Sequence, residues 1–285
     1  MSSSNEVFPV SFEVYPPRSP EHMDALLEAI DYLASVNPDF ISVTFGAGGS
    51  TTRDSLAVLE YIEKNTPTHP LAHLTCVGNS TDEAADLVRS FADAGITQFL
   101  ALRGDLPDDH SAGIGDLPHA EDLVRLLSEL SSEGSQIERI AVAAFPNGHP
   151  DSPDRDADIE VLRRKERAGA TLAITQLFFG VDEYTHFVDA ARQAGVTMPI
   201  LPGIMPITSV GRLKRVLELT GERAPEALWK ALESHEDFAG QRAVGIEWAA
   251  QLTSDLRDAG APGIHLYAFN QHETVLSVLE QAGVR

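Results

Sequence analysis

Eight times along this 285-residue chain a short apolar run stops at a polar tip and gives way to a stretch patterned for a helix. The runs at 10–15, 40–45, 71–77, 99–102, 137–145, 171–179, 198–203 and 263–269 are of strand length, and several close on glycine or proline. Between them, 20–35, 54–65, 82–94, 120–130, 156–168 and 182–194 read as helices. The seventh run is followed by three more helical stretches, 210–219, 225–234 and 238–259, and the eighth by 272–282. Strand and helix in strict alternation make a parallel sheet. Eight such units, without a long linker or a break in composition, fit a closed (β/α)₈ barrel better than an open doubly wound sheet. The expectation is therefore an α/β fold, a single-domain TIM barrel over 1–285, with 1–9 as a flexible tail.

In such a barrel every strand delivers its C-terminal tip to one rim. The stretch 97–107 shows the pattern most sharply, because its apolar run stops on Arg103-Gly104-Asp105. The glycine lets a ligand approach the backbone, and the arginine fork suits a phosphate or carboxylate. The other tips supply Glu13, Thr44, Asn147, His149, Gln176, Tyr267 and Asn270, and His73 lies in the third run. Two carboxylates, Glu13 and Asp105, are the best candidates for chemistry. A carboxyl at a partly apolar barrel mouth can have its pKa raised, which suits a general acid. A structural ion pair inside the barrel is the plainer account of Glu13.

Several classes are excluded. The glycine loop 46–52 lacks the G-x-G-x-x-G spacing, and there is no P-loop, so any nucleotide is held by barrel loops. The histidines do not form a zinc-protease pattern, no nucleophile elbow is present, and no metal is expected. The single cysteine, Cys76, sits in an apolar run and reads as a buried, inert thiol. Basic residues number 21 against 43 acidic, a net charge of −22, which argues against nucleic acid or an anionic membrane as partner. Neither a signal peptide nor an apolar run long enough to span a bilayer is evident, so a cytoplasmic location is expected. A homo-oligomer is the expected assembly.

Taken together, Ser11-Phe-Glu-Val-Tyr-Pro-Pro-Arg18, Ser42-Val-Thr-Phe-Gly-Ala-Gly-Gly-Ser50, His73-Leu-Thr-Cys76, Leu102-Arg-Gly-Asp-Leu-Pro107, Ile174-Thr-Gln-Leu-Phe-Phe179, Pro202-Gly-Ile-Met-Pro206 and Gly263-Ile-His-Leu-Tyr267 resemble the 5,10-methylenetetrahydrofolate reductases. The resemblance implies a flavin-containing barrel that uses NADH or NADPH to reduce 5,10-methylenetetrahydrofolate to 5-methyltetrahydrofolate through FAD, in one-carbon metabolism that supplies methionine synthesis. It implies Glu13 as general acid and Asp105 as the carboxylate beside pterin and flavin. FAD contacts would fall on Thr44, Ala47, His73, Arg103, Gly104, Asp105, Ala120, His149, Asp158, Arg164 and Lys165. Substrate contacts would fall on Asp105, Gln176 and Tyr267. The chain departs from the family's habit at Phe45, Phe145, Asn147 and His119. Two other readings stay open: a flavin-independent enzyme that passes hydride directly from NADH to the same substrate, and a catalytically silent folate- or flavin-binding barrel.

Overall fold

The computed structural model describes residues 7–17, 19–45, 52–104, 115–223 and 225–285. Strands β1 (Val10–Val14), β2 (Phe40–Val43), β3 (His69–Thr75), β4 (Gln98–Leu102), β5 (Arg139–Ala144) and β6 (Leu172–Thr175) pair in sequence order, all parallel. Then β7 (Ile200–Leu201) pairs with β6, while β8 (Gly203–Ile204) pairs with β9 (Ile264–Tyr267), which returns to β1. Only Pro202 separates β7 from β8, so the two form one barrel stave and the sheet closes into the expected (β/α)₈ barrel. Proline has no N–H to give a ladder, and here the stave shifts its pairing from one neighbour to the other. Pro202 still accepts a bond from His265 N at 2.9 Å, and Gly203 N donates to Thr175 Oγ1 at 2.8 Å.

Each strand is followed by at least one helix: α1 (Met23–Ala34), α2 (Thr52–Asn65), α3 (Thr81–Asp93), α4 (Ala120–Ser132), α5 (Arg155–Ala168) and α6 (Val181–Gln193). After the split stave come α7 (Val210–Thr220), α8 (Glu226–Glu233) and α9 (Phe238–Asp258), and α10 (His272–Gln281) ends the chain. Local chemistry sets several starts. Ser80 and Glu83 form a reciprocal capping box on α3, and Asp154, Ser209 and Asp237 cap α5, α7 and α9 through their side chains.

Because strands alternate their faces, the core has two layers. One lies between barrel and helices and includes Phe12, Ile41, Leu74 and Phe99. The other fills the barrel with Phe40, Leu71, Leu100, Leu172, Ile174 and Leu201. At the end opposite the rim Arg139 lies over the Phe40 ring at 5.2 Å and pairs with Asp39 at 2.9 Å.

Several strands stop earlier than their apolar runs suggest, and for the sixth and the last the local cause is visible. The sixth ends at Thr175 because Gln176 Oε1 takes Leu177 N and Glu183 Oε2 takes Phe179 N, removing both from any ladder. Leu177, Phe178 and Phe179 are buried by packing rather than by strand pairing. The last ends at Tyr267 because Phe269 and Asn270 take left-handed φ values of 48° and 57°.

Candidate active site

Two cavities open at the rim. The first, about 740 Å³, is bordered by β2 to β5 and by α4 and α5, and it gathers Thr44, His73, Arg103, Gly104, Ala120, His149, Asp158, Arg164 and Lys165. These are the expected cofactor contacts, brought together from four separate β/α units. The second, about 750 Å³, is lined by Glu13, Tyr15, Pro17, Thr44, Phe269 and Asn270 among others. Thr44 borders both. Asp105 and Ala47 lie outside the described residues. Gln176 and Tyr267 line neither cavity: Tyr267 donates to Thr175 O at 2.8 Å and stands at the barrel closure, while Gln176 is half-buried.

Each cation in the first cavity already has a local partner. Arg103 reaches Asp151 at 3.3 Å and Arg164 reaches Glu121 at 3.2 Å; both arginines keep much of their exposure. Lys165 is 7% exposed, and its Nζ donates to Ala143 O at 3.0 Å. Burial pulls its pKa down to about 8, with Asp158 and Glu121 opposing that shift. Asp158 in turn accepts from His149 N at 2.9 Å and from the Ser152 hydroxyl. Two atoms on this wall, Thr44 Oγ1 and His73 Nε2, are buried without a hydrogen-bond partner. Phe145 meets His149 edge to face at 4.7 Å, and Asn147 bridges Glu183 and Glu222 through Nδ2 at 2.9 and 2.8 Å.

Glu13 is the hinge between the two spaces. Its Oε2 lies 3.4 Å from His73 Nε2 and 3.8 Å from His265 Nε2. His265 is fully buried, its Nε2 otherwise unpartnered and its Nδ1 2.9 Å from Ser11 Oγ. Ser11 donates its proton to Ile264 O at 3.1 Å, which leaves His265 Nδ1–H to donate to Ser11. That leaves Nε2 as the His265 atom facing Glu13 Oε2. Burial pushes the Glu13 carboxyl up, but the facing imidazoles of His265 and His73 outweigh it and its pKa is lowered. The distance to His265 makes this an ion-pair effect more than a hydrogen bond. An acid raised by an apolar mouth was the expectation, and the two histidines reverse it. His73 is itself lowered, because burial opposes its charge more than Glu13 supports it.

Glu13, Thr44, His73 and the Arg164-Lys165 pair could be found as polar positions at strand tips or on one helix. His265 could not. It shares its face of β9 with inward-pointing neighbours, and only barrel closure brings it to a strand more than 250 residues earlier. Cys76 is buried and its thiol is pushed up to about 11 by burial, as an inert thiol should be.

A family model described as methylenetetrahydrofolate reductase matches residues 1–283. The chain is 35% identical to the 5,10-methylenetetrahydrofolate reductase of Escherichia coli, over 97% of this chain and 91% of that protein. It is 31% identical to methylenetetrahydrofolate reductase (NADH) 1 of Arabidopsis thaliana, over 96% of this chain and 48% of that protein. Among solved structures, an uncharacterized Clostridium thermocellum protein that binds two copies of 5-methyl-5,6,7,8-tetrahydrofolic acid superposes with a TM-score of 0.65 at 15% identity, covering 97% of this chain and 94% of that one. Dihydropteroate synthase from Xanthomonas albilineans gives 0.54 at 16% identity, over 99% and 94%. At such identities these structures speak for the barrel alone.

Proposed function

Because this chain belongs to the methylenetetrahydrofolate reductase family, we propose that it reduces 5,10-methylenetetrahydrofolate to 5-methyltetrahydrofolate, with NADH or NADPH as hydride donor and FAD in the first cavity. The observation that carries the reading is the place of Glu13: a carboxylate on the second cavity, facing the imidazole of His73 on the first.

The residues of the first cavity fit a flavin dinucleotide. Thr44 Oγ1 is an orphaned polar atom that a heteroaromatic ring would satisfy. Arg103, Arg164 and Lys165 would hold the diphosphate, exchanging surface carboxylates for ligand oxygens. His149, Gly104 and Ala120 would flank it, and Asp158 would keep the loop around His149 in place. Such a group supplies hydride acceptance from a nicotinamide and hydride delivery to carbon.

The chain's own part is proton management and exclusion of water. Opening the methylene bridge needs a proton on the departing nitrogen, and Glu13 is the group to deliver it. Since its carboxyl is lowered in the free protein, Glu13 takes up that proton from solvent in the cavity it lines, holds it beside His73 and His265, and gives it to the nitrogen. The carbon left behind carries positive charge until hydride arrives. Asp105, by the resemblance, is the carboxylate that stabilises it. Direct transfer from NADH without flavin is the second reading. What favours it is that Arg103 and Arg164 are each already engaged by a carboxylate.

The test is the purified protein given 5,10-methylenetetrahydrofolate with NADH or NADPH, and its chromatographed extract examined for flavin. Turnover with flavin is the expected result. Turnover without flavin leaves the direct reading, and no turnover with either nicotinamide overturns both.

A further inference from the structure

His265 is fully buried and lines neither rim cavity, yet one of its ring nitrogens faces Glu13. Strand pairing puts it there. On the closing pair of strands Ser11 stands opposite His265 and Glu13 opposite Tyr267. Residues two apart on a strand share a face, so these four side chains make two successive layers inside the barrel. Glu13 and Tyr267 belong to the layer nearer the rim, and Ser11 and His265 to the one beneath it.

The His265 ring has little freedom to turn. Ser11 Oγ meets Nδ1 at 2.9 Å, Phe40 stacks on the ring at 5.6 Å, and Tyr267 meets it edge to face at 5.4 Å. Only Nε2 is left, and it is buried without a hydrogen bond. Leaving such an atom unpaired is costly, so its direction calls for an explanation. It faces Oε2 of Glu13 at 3.8 Å, and His73 turns its own Nε2 to the same oxygen at 3.4 Å. Both imidazoles therefore address Oε2. No hydrogen bond or ion pair among the described residues reaches Oε1, which is left for the second cavity that Glu13 lines.

We infer that His265, pinned by Ser11, is a positioning residue: it fixes the Glu13 carboxyl by Oε2, so that Oε1 is the oxygen presented to the departing nitrogen of the substrate. This rests on the folate reading above and adds the residue that orients the acid. The carboxyl has no hydrogen bond among the described residues to orient it otherwise, and a reacting group misplaced by about 1 Å can lose about 100-fold in rate.

Two substitutions separate orienting Glu13 from merely filling the barrel. The amide of H265N stands where Nδ1 is, so it keeps the Ser11 contact and stops short of Glu13. The longer H265Q carries its amide to the place of Nε2 and gives up Ser11. Turnover of 5,10-methylenetetrahydrofolate with NADH or NADPH is measured across pH, and each kcat is compared at that variant's own optimum. H265N should lower kcat about 10- to 100-fold with KM little changed, and H265Q should lower it less. Burial raises the Glu13 carboxyl and the imidazoles of His265 and His73 outweigh it. In H265N the limb on which turnover falls with rising pH should therefore move to higher pH. The other titratable groups around Glu13 and its cavity, His73 of β3, Tyr267 of β9, Tyr15 after β1 and His22 before α1, are the same in every variant. Wild-type kcat and pH profile in H265N, or H265Q more impaired than H265N, would overturn the role. Wild-type protein that turns over no methylenetetrahydrofolate would instead overturn the folate reading, and the role with it. Should H265N melt at a markedly lower temperature, S11A keeps the ring and removes only its pin; it should lower kcat in the same direction, and an unchanged kcat would overturn the inference.

Discussion

Glu13 is asked to be a carboxylate in the resting protein and an acid during turnover, and its neighbours explain how both are possible. Two imidazoles within 4 Å keep it ionised, and the cavity it lines gives it access to a proton from solvent. Glu13→Gln keeps size but cannot pass a proton. It should lower reduction of methylenetetrahydrofolate by about 10²–10⁴-fold, while on the proposed flavin reading oxidation of NAD(P)H stays near wild type. Separate half-reactions in a stopped-flow instrument check this, and folate reduction within a factor of a few of wild type would return Glu13 to a structural role. The cluster also predicts a pH profile for stability. His73 is lowered from 6.5 in the fold, so the unfolded chain binds the proton first and stability falls as pH drops below about that value. Glu13 is lowered from 4.5, so its contribution is present above that value and is lost as pH falls through its lower folded pKa. Urea midpoints measured from pH 7 to 5 should decline for wild type and decline less for His73→Gln. Identical profiles would mean that the buried histidine does not titrate in this window.

At the scale of single elements, the split stave is the most exacting part. A Cβ built on Gly203 would stand 2.3 Å from Thr175 O and 2.8 Å from the Tyr267 hydroxyl, the two groups already bonded to each other across the closure. Neither can move without opening the barrel. Gly203→Ala should cost about 3 kcal/mol, or roughly 6–12 °C in a thermal melt of a chain this long; a loss under 2 °C would show that the closure yields easily. This stave also shows where sequence reading runs out. The run 198–203 was legible as a strand and the rim position of its neighbours followed from the alternation. That Pro202 would divide it depends on which edge each half must meet, and that is fixed by the whole ring. The polar residues that line the first cavity were legible as strand-tip positions or as one face of α5. The place of His265 beside Glu13 was not, because β9 meets β1 only after closure. Gln176 was read as the inside of a strand, whereas its own side chain ends that strand.

Over the whole molecule, a ring of parallel strands hides every edge, and the two rim cavities share a wall made of a few side chains from β1 to β3. Glu13 lines the second space and faces His73 of the first, so one carboxylate stands between the two. The ring is not equally strong all round. Elsewhere adjacent strands share ladders of up to five residue pairs, as between β3 and β4, but on each side of Pro202 the ladder holds two. A barrel that breathes should therefore part there first. The amides of Ile200–Leu201 and Gly203–Ile204 should exchange with deuterated solvent before those of β3 and β4; uniform protection around the ring would contradict this. Once that stave lifts, β6 and β9 become free edges, long rows of unpaired donors and acceptors able to add a strand from a second molecule. The feature that lets the chain complete its ring is thus also the place where heat would turn a folded barrel into the seed of an aggregate.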